Sequence, residues 1–306
     1  MQSCADVLVL LAGLGKEAAR HYVRMGASRL ILAVRDLDKG RVAKEEIVSS
    51  IDSAKTDIDV WHVDMGSYSS VQTFAARVNS ELDRVDVFIA NAGVANAKFS
   101  VLEEDESQIT VNVVSTFLLA ALVMPKLKAT SIEYKSRPTL TITSSGAHAF
   151  AKFPQRSAPT GEIFTTISDK RTAERNWNGQ YPLSKMLEIF TVRSIGEKYP
   201  ASVFPVTVNC VDPGFCLSEL SRDFPTLTFW IMKLLLARTT EIGSRALIHA
   251  ASSGADTHGE YLSDCHVAQP AALVTGSEGP VLQDRLWVEL TSKLEAIMPG
   301  VMDAFR

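Results

Sequence analysis

The chain has 306 residues, of which 46% are hydrophobic and 22% charged, enough for one large α/β domain or two small ones with a sizeable core. A net charge of −4 with no basic cluster argues against nucleic acid as a partner. No apolar run reaches the roughly 18 residues of a membrane span, no basic flank precedes Val7–Leu14 as a signal peptide would require, and four cysteines (Cys4, Cys210, Cys216, Cys265) without a C-x-x-C pair point away from zinc and toward a reducing, cytoplasmic setting.

In chain order, the hydrophobic spacing predicts a strand at Val7–Ala12 and a helix at Lys16–Gly26, then a strand at Arg29–Val34 and a charged helix at Asp38–Ser50. A third strand, Ile58–Val63, leads into a helix at Ser67–Leu82, and a fourth, Val85–Ala90, into a long helix at Glu103–Leu127. A fifth strand at Thr139–Thr143, a helix at Tyr181–Tyr199 and a sixth strand at Phe204–Val211 follow. Strands alternating with helices imply a parallel sheet covered on both faces, hence a doubly wound α/β fold in a single domain of residues 1–306. Residues 215–240 break the alternation with Phe215, Phe224, Phe229 and Trp230, and read either as a packing helix or as a lid over the carboxyl edge of the sheet. Val274–Gly300 reads as a tail ending in a helix, anchored by Trp287 and Leu290.

Chemistry gathers at the predicted strand ends. Tyr181-Pro182-Leu183-Ser184-Lys185 places a phenol and an ammonium one helical turn apart, on one face. A free tyrosine titrates near pH ~10, and a fixed ammonium beside it is expected to lower that value, making Tyr181 a proton donor and acceptor. Ser144-Ser145-Gly146 closes the fifth strand, where a hydroxyl can donate to a carbonyl oxygen. Asn91-Ala92-Gly93 closes the fourth strand, Asn112 sits in the next helix, and Asn209 with Pro213-Gly214 brackets the end of the sixth.

With these motifs the sequence resembles the short-chain dehydrogenase/reductase superfamily over about residues 7–220. It is most similar to the retinol-dehydrogenase-like branch and its fungal natural-product relatives, through the stretch from Gly26 to Asp36, Ser144-Ser145-Gly146-Ala147-His148 and Gly259–Asp264. The resemblance implies a Rossmann-like dinucleotide fold and a hydride transfer between NADP(H) and a hydroxyl or ketone on an apolar small molecule of secondary metabolism. It also implies the roles. Tyr181 is the acid/base. Lys185 holds the nicotinamide ribose and tunes Tyr181, Ser145 polarises the substrate oxygen, and Asn112 supports a water of the proton relay. Asp64 contacts adenine and Asn91 lies beside the adenosine, with Gly13, Gly15, Pro213 and Gly214 completing the cofactor site. Arg35, 20 positions after Gly15, stands where an arginine meets a 2′-phosphate, with Asp36 weighing weakly against it. Many members of the family pair the two long helices, so a homodimer through Glu103–Leu127 and Tyr181–Tyr199 is expected.

Two features depart from the family pattern. Ser145 and Tyr181 are 36 positions apart, longer than in compact members, which implies a loop beside the substrate cleft. The Thr-Gly-x-x-x-Gly-x-Gly turn is reduced to Ala12-Gly13-Leu14-Gly15, which implies a cramped cofactor mouth and weak NADPH binding. A non-catalytic member with a degenerate turn, and an epimerase or dehydratase sharing Y-x-x-x-K, stay open as alternatives.

Overall fold

A computed structural model of the chain describes residues 5–11, 13–51, 55–217 and 237–306. The first half is built as the alternation requires: β1 (Asp6–Leu10), α1 (Leu14–Arg24), β2 (Arg29–Val34), α2 (Leu37–Ser49), β3 (Asp57–His62), α3 (Tyr68–Glu81) and β4 (Val87–Ala90). β2 is buried along Leu30–Val34, and β5 (Thr139–Thr143) along its whole length, as strands covered on both faces must be. The helix starts have local causes. Asp36 Oδ1 accepts the Asp38 and Lys39 amides at 3.0 and 3.1 Å to open α2, and Ser67 Oγ accepts the Ser70 amide to open α3.

The remaining strands are β6 (Thr207–Asp212), β7 (Tyr261–Ser263) and β8 (His266–Val267), and the sheet runs β8-β7-β6-β5-β4-β1-β2-β3. All pairings are parallel except β7 with β8. The order turns back on itself between β1 and β4, so the crevice of a doubly wound sheet opens at the carboxyl ends of those two strands. Side chains of β1 alternate between two cores. Leu8 and Leu10 join Phe74, Phe88, Phe117 and Phe190 on one face, while Val7 and Val9 join Leu30, Ile47 and Leu247 on the other.

The predicted helix at Glu103–Leu127 is corrected at both ends. Val101–Leu102 and Asp105–Glu106 form a small hairpin, with Glu103 at φ 54 in its turn and the Glu103 carboxylate accepting the Tyr68 amide at 2.8 Å. The helix proper, α4, spans Ser107–Tyr134 and contains a π-helical stretch at Thr110–Ser115. It has the length and mean hydropathy, 1.7, of a membrane span, yet 94% of that window is buried inside the fold. β7 was missed because three residues carry no period. α6 (Thr240–Ala251) was missed because it adjoins the aromatic segment and shares its apolar character.

α5 (Gln180–Lys198) and α4 were expected to meet a second copy of the chain. Within the chain they pack against the C-terminal helix, α7 (Gly279–Ile297), and the turn at Val301–Phe305. Arg193 donates to Gln283 at 3.3 Å, Lys198 pairs with Asp284 at 2.9 Å, and Lys128 donates to the Arg306 carbonyl at 2.5 Å. Tyr199, Phe204 and Phe305 stack beneath.

Most of the expected lid lies outside the described residues, Phe224, Phe229 and Trp230 included. Its ends do not. Leu217 donates to the Arg238 carbonyl and Arg238 to the Phe215 carbonyl, both at 2.8 Å, so the chain departs and returns at one point beside β6.

α5 passes close to the entry to β7 at Gly196. A Cβ on Gly196 would sit 2.5 Å from Gly259 Cα, and Gly259 itself is at φ 81. We expect Gly196→Ala to cost about 1–3 kcal/mol as backbone is forced aside. A urea midpoint equal to that of the unmodified protein would contradict this packing.

Candidate active site

α5 carries the centre of the site on one face. Tyr181 is half-buried with its ring 5.7 Å from Lys185 Nζ, and Lys185 is only 3% exposed. An ammonium that deep has to be partnered. Lys185 Nζ donates to the Thr143 carbonyl at 2.8 Å, at the end of β5, and to Glu188 Oε1 at 2.7 Å, one turn further along α5. Glu188 is 1% exposed, and its second oxygen has no hydrogen-bond partner among the described residues.

These contacts set the electrostatics. Burial pushes the Glu188 carboxyl up to about 7, against the pull of Lys185 and of Ser144. Burial pulls Lys185 down, but Glu188 and Tyr181 outweigh it and leave the ammonium above the ordinary lysine value. Tyr181 is raised by burial, lowered by Lys185 and by a hydrogen bond from Ser145, and raised again by Glu188 and Asp212. The sequence expectation that Lys185 lowers Tyr181 is right in sign for that pair. The net shift is upward, because burial and two carboxylates outweigh one ammonium.

The end of β5 supplies the serines. Ser144 Oγ donates to the Lys185 carbonyl at 3.0 Å and so ties β5 to α5. Ser145 Oγ accepts the Ala147 amide at 3.1 Å, which leaves its proton to give. His148 locks this turn. Its Nδ1 lies 2.8 Å from the Ser145 carbonyl while Nε2 accepts the Ala271 amide at 3.0 Å, an arrangement that assigns a neutral ring protonated on Nδ1. Burial keeps His148 below its ordinary value. A Cβ on Gly146 would meet Asp212 Oδ2 at 2.8 Å, so the ends of β5 and β6 touch here.

Asn112 lies in the π-helical stretch and is fully buried. Its Oδ1 accepts the Val94 amide at 2.8 Å, and its Nδ2 donates to the Val94 carbonyl at 3.0 Å and to Ser184 Oγ at 2.9 Å. The side chain is thus spent as a clamp between the turn after β4 and α5. A Cβ on Gly93 would come within 3.4 Å of both Asn112 Oδ1 and Lys185 Nζ, which keeps that turn tight against the ammonium.

The residues expected around a dinucleotide are spread along the same sheet edge. Gly13 is exposed at the start of α1, where no side chain caps the first amides. A Cβ on Gly15 would meet Asn91 Nδ2 and the Leu10 carbonyl, both at 2.8 Å, and Asn91 Nδ2 donates to that carbonyl at 3.2 Å. An uncapped helix start and a glycine without room for a side chain fit a pyrophosphate approaching backbone. Of the cramped mouth expected at Ala12–Gly15, Ala12 lies outside the described residues. Arg35 is exposed past β2 with no partner among the described residues, while Asp36 is engaged in capping α2. Asp64 Oδ1 accepts the Gly66 amide at 2.8 Å. Gly214, at φ 78, follows Pro213, donates its amide to Asp212 Oδ1 at 2.9 Å, and lies under the Arg238 guanidinium, which pairs with Asp264 at 2.7 Å. The structure therefore brings Tyr181, Lys185, Ser145 and Asn112 into one centre, Gly13, Gly15 and Asn91 into a second, and sets Arg35 and Asp64 further out. Sequence reading missed Glu188 and Asp212. Their signals were an acid one turn past Lys185 and an acid just before Pro213-Gly214.

Residues 7–158 match the short chain dehydrogenase family. The chain is 61% identical over 293 residues to the short chain dehydrogenase/reductase dmxR8 of Cryptosporiopsis sp., covering 96% of this chain and 90% of that one. Among solved structures it is similar to an alcohol dehydrogenase of the archaeon Thermococcus sibiricus complexed with 5-hydroxy-NADP, with a TM-score of 0.61 at 19% identity over 87% of this chain and 99% of that one. It is also similar to an NADH-dependent reductase complexed with NAD, with a TM-score of 0.59 at 18% identity over 85% of this chain and 94% of that one.

Glu188 makes stability depend on pH. Its folded value is raised, so its contribution is full below about 4.5 and is lost as pH rises toward about 7. We expect the stability difference between Glu188→Gln and the unmodified protein to move in favour of the variant across that window. A difference that stays flat with pH, measured by urea unfolding, would contradict the assignment.

Proposed function

The chain belongs to the short-chain dehydrogenase family, and on that premise we propose that it moves a hydride between NADP(H) and a hydroxyl or ketone on an apolar small molecule of secondary metabolism. The observation that carries this reading is the convergence of Tyr181, Lys185 and Ser145 at the carboxyl ends of β4, β5 and β6.

A nicotinamide held here would supply the hydride, or accept it, at the substrate carbon. The protein's own residues handle the oxygen. Ser145 donates its free proton to that oxygen and stabilises charge there. Tyr181 transfers its phenolic proton to the oxygen in reduction and takes it back in oxidation. Lys185, two of whose donors are committed to Thr143 and Glu188, keeps a third for a ribose hydroxyl. Asn112 holds the Val94 backbone and Ser184, and so fixes the distance between the turn after β4 and the catalytic helix. Gly13, Gly15, Asn91, Asp64, Pro213 and Gly214 would hold the rest of the cofactor. We expect Tyr181→Phe to lower kcat by about 10²–10⁴-fold with the fold intact. Retained turnover by the folded variant, across a panel of carbonyl and alcohol substrates, would end this reading.

Arg35 supports NADP(H) over NAD(H). It is exposed and unpaired among the described residues, and the nearby acid, Asp36, is turned into the start of α2. A guanidinium there suits a 2′-phosphate. We expect Arg35→Ala to lower the NADPH-to-NADH ratio of kcat/KM by about tenfold or more, the scale of one charge-assisted pair. An unaltered ratio would refute the assignment.

An apolar substrate fits exposed Phe215 and Leu217 beside Gly214. A cytoplasmic setting fits the free thiols of Cys210, Cys216 and Cys265. One observation favours a second reading, a binding protein without turnover. The link between β1 and α1 is only three residues, 11–13, which leaves few backbone amides to cradle a pyrophosphate. Titration of NADPH fluorescence separates the two, since the non-catalytic reading requires no saturable binding.

A further inference from the structure

The lysine of the site has a counter-ion of its own. Tyr181, Lys185 and Glu188 sit at i, i+4 and i+7 of α5, on one face. Lys185 and Glu188 are 4% and 1% exposed at their side chains and 2.7 Å apart, a desolvated ion pair. The Lys185 ammonium is also the charge that lies 5.7 Å from the Tyr181 ring. Whatever Lys185 does to the phenol, Glu188 is placed to offset.

We propose that Glu188 is a positioning residue that fixes the Lys185 ammonium against the Thr143 carbonyl and cancels much of its charge at Tyr181, holding Tyr181 as the phenol and so favouring carbonyl reduction over alcohol oxidation. This rests on Tyr181 being the acid/base.

The physical case is one of net charge. Without Glu188, Tyr181 would face an unshielded buried cation, and the phenolate, the form that accepts a proton in oxidation, would be favoured. With Glu188 ionised, the pair is neutral and the phenol is favoured. The surroundings act in the same direction. Asp212, at the end of β6, faces Tyr181 as a second negative group, with Glu260 and the buried Cys210 thiol nearby on β6 and the entry to β7. From β5, Ser145 opposes them with a hydrogen bond to Tyr181, and Ser144 lies against Glu188. Arg193, two turns along α5, is the other cation close to Cys210. Ser144 Oγ donates to the Lys185 carbonyl while lying against Glu188, and Glu188 Oε2 has no hydrogen-bond partner of good geometry among the described residues. Glu188 is therefore itself easily protonated near neutrality, and the offset strengthens as pH rises through that range. Reduction needs the phenol at every turnover, and this arrangement secures it where a lone lysine would erode it.

The test reads Tyr181 directly and needs no cofactor. Tyrosinate absorbance is followed against pH in the unmodified protein and in Glu188→Gln, each minus the same chain with Tyr181→Phe, which removes the other five tyrosines from the difference. Glu188→Gln keeps the shape and the acceptor, and is expected to move the Tyr181 midpoint down by about 1 unit or more. Glu188→Asp keeps the charge and is expected to hold the midpoint within about half a unit while weakening the fold. An unmoved or raised midpoint in Glu188→Gln overturns the proposal, as does an equal shift in both variants. Should Glu188→Gln not fold, a lowered midpoint in the Asp variant overturns it and an unmoved one supports it. With turnover established, Glu188→Gln is also expected to raise the oxidation-to-reduction ratio of kcat at pH about 7 by several-fold. The titration stands even if Tyr181→Phe proves active, so failure of the general reading and failure of this one are told apart.

Discussion

A buried ammonium cannot be left alone, and the partners that Lys185 finds organise the site. The Thr143 carbonyl is the last acceptor of β5, so the bond to it pins α5 to the carboxyl end of that strand. Ser144 then bonds back to the Lys185 carbonyl, which closes a small ring between strand and helix. With that ring closed, Tyr181 has one position, one turn earlier on α5, and Ser145 one position, one residue beyond Ser144. The same ammonium approaches Gly93, whose turn is held by Asn112. Two strand ends and two helices are thus indexed to one nitrogen atom. Breaking a buried pair by removing one partner typically costs several kcal/mol, so the positions of Tyr181 and Ser145 and the stability of the fold are coupled here.

The topology makes this indexing possible. A parallel sheet presents every carboxyl end on one edge, and the reversal between β1 and β4 opens a crevice there. β5 and β6 continue outward from β4, so the chemistry of the serines, Tyr181 and Asp212 lies to one side of the crevice. Arg35 and Asp64, past β2 and β3, lie on the other. A molecule with a reactive ring at one end and a charged ribose at the other matches that division of labour.

Much of this was legible in the sequence. The strands at Arg29–Val34 and Thr139–Thr143 were read with their observed limits, because continuous apolar or β-branched runs bounded by turns have few other uses. Tyr181 and Lys185 were legible because i and i+4 share a face whatever the tertiary context. The electrostatics were not. An acid three residues after a lysine is an ordinary surface pair on most helices, and only burial turns Glu188 into a group that acts on Tyr181. Nor were the contacts of Asn112, which come from Val94 and Ser184, 18 and 72 positions away. The homodimer expectation meets a similar limit. A broadly apolar helix such as Phe117–Val123 says that both sides are buried, not whether a second copy or α7 does the burying.

The shortened turn after β1 shows how fold and cofactor binding separate. In a dinucleotide turn the glycines have different tasks: to bend the chain, to let backbone reach the pyrophosphate, and to let the helix pack closely on the strand. Gly15 performs the last. Its hydrogen faces Asn91 and the Leu10 carbonyl with no room for a methyl, and Asn91 in turn bonds that carbonyl. Because this contact survives, β1, β4 and α1 keep their places, and the sheet edge that positions Tyr181 and Lys185 is undisturbed. A link of three residues has few free amides to offer a phosphate, while the Gly15 and Asn91 contacts keep the architecture in place. The packing glycine answers to the hydrophobic core, while the phosphate glycines answer only to a ligand. The arrangement of Tyr181, Lys185 and the serines at the strand ends is thus built independently of the length of that link.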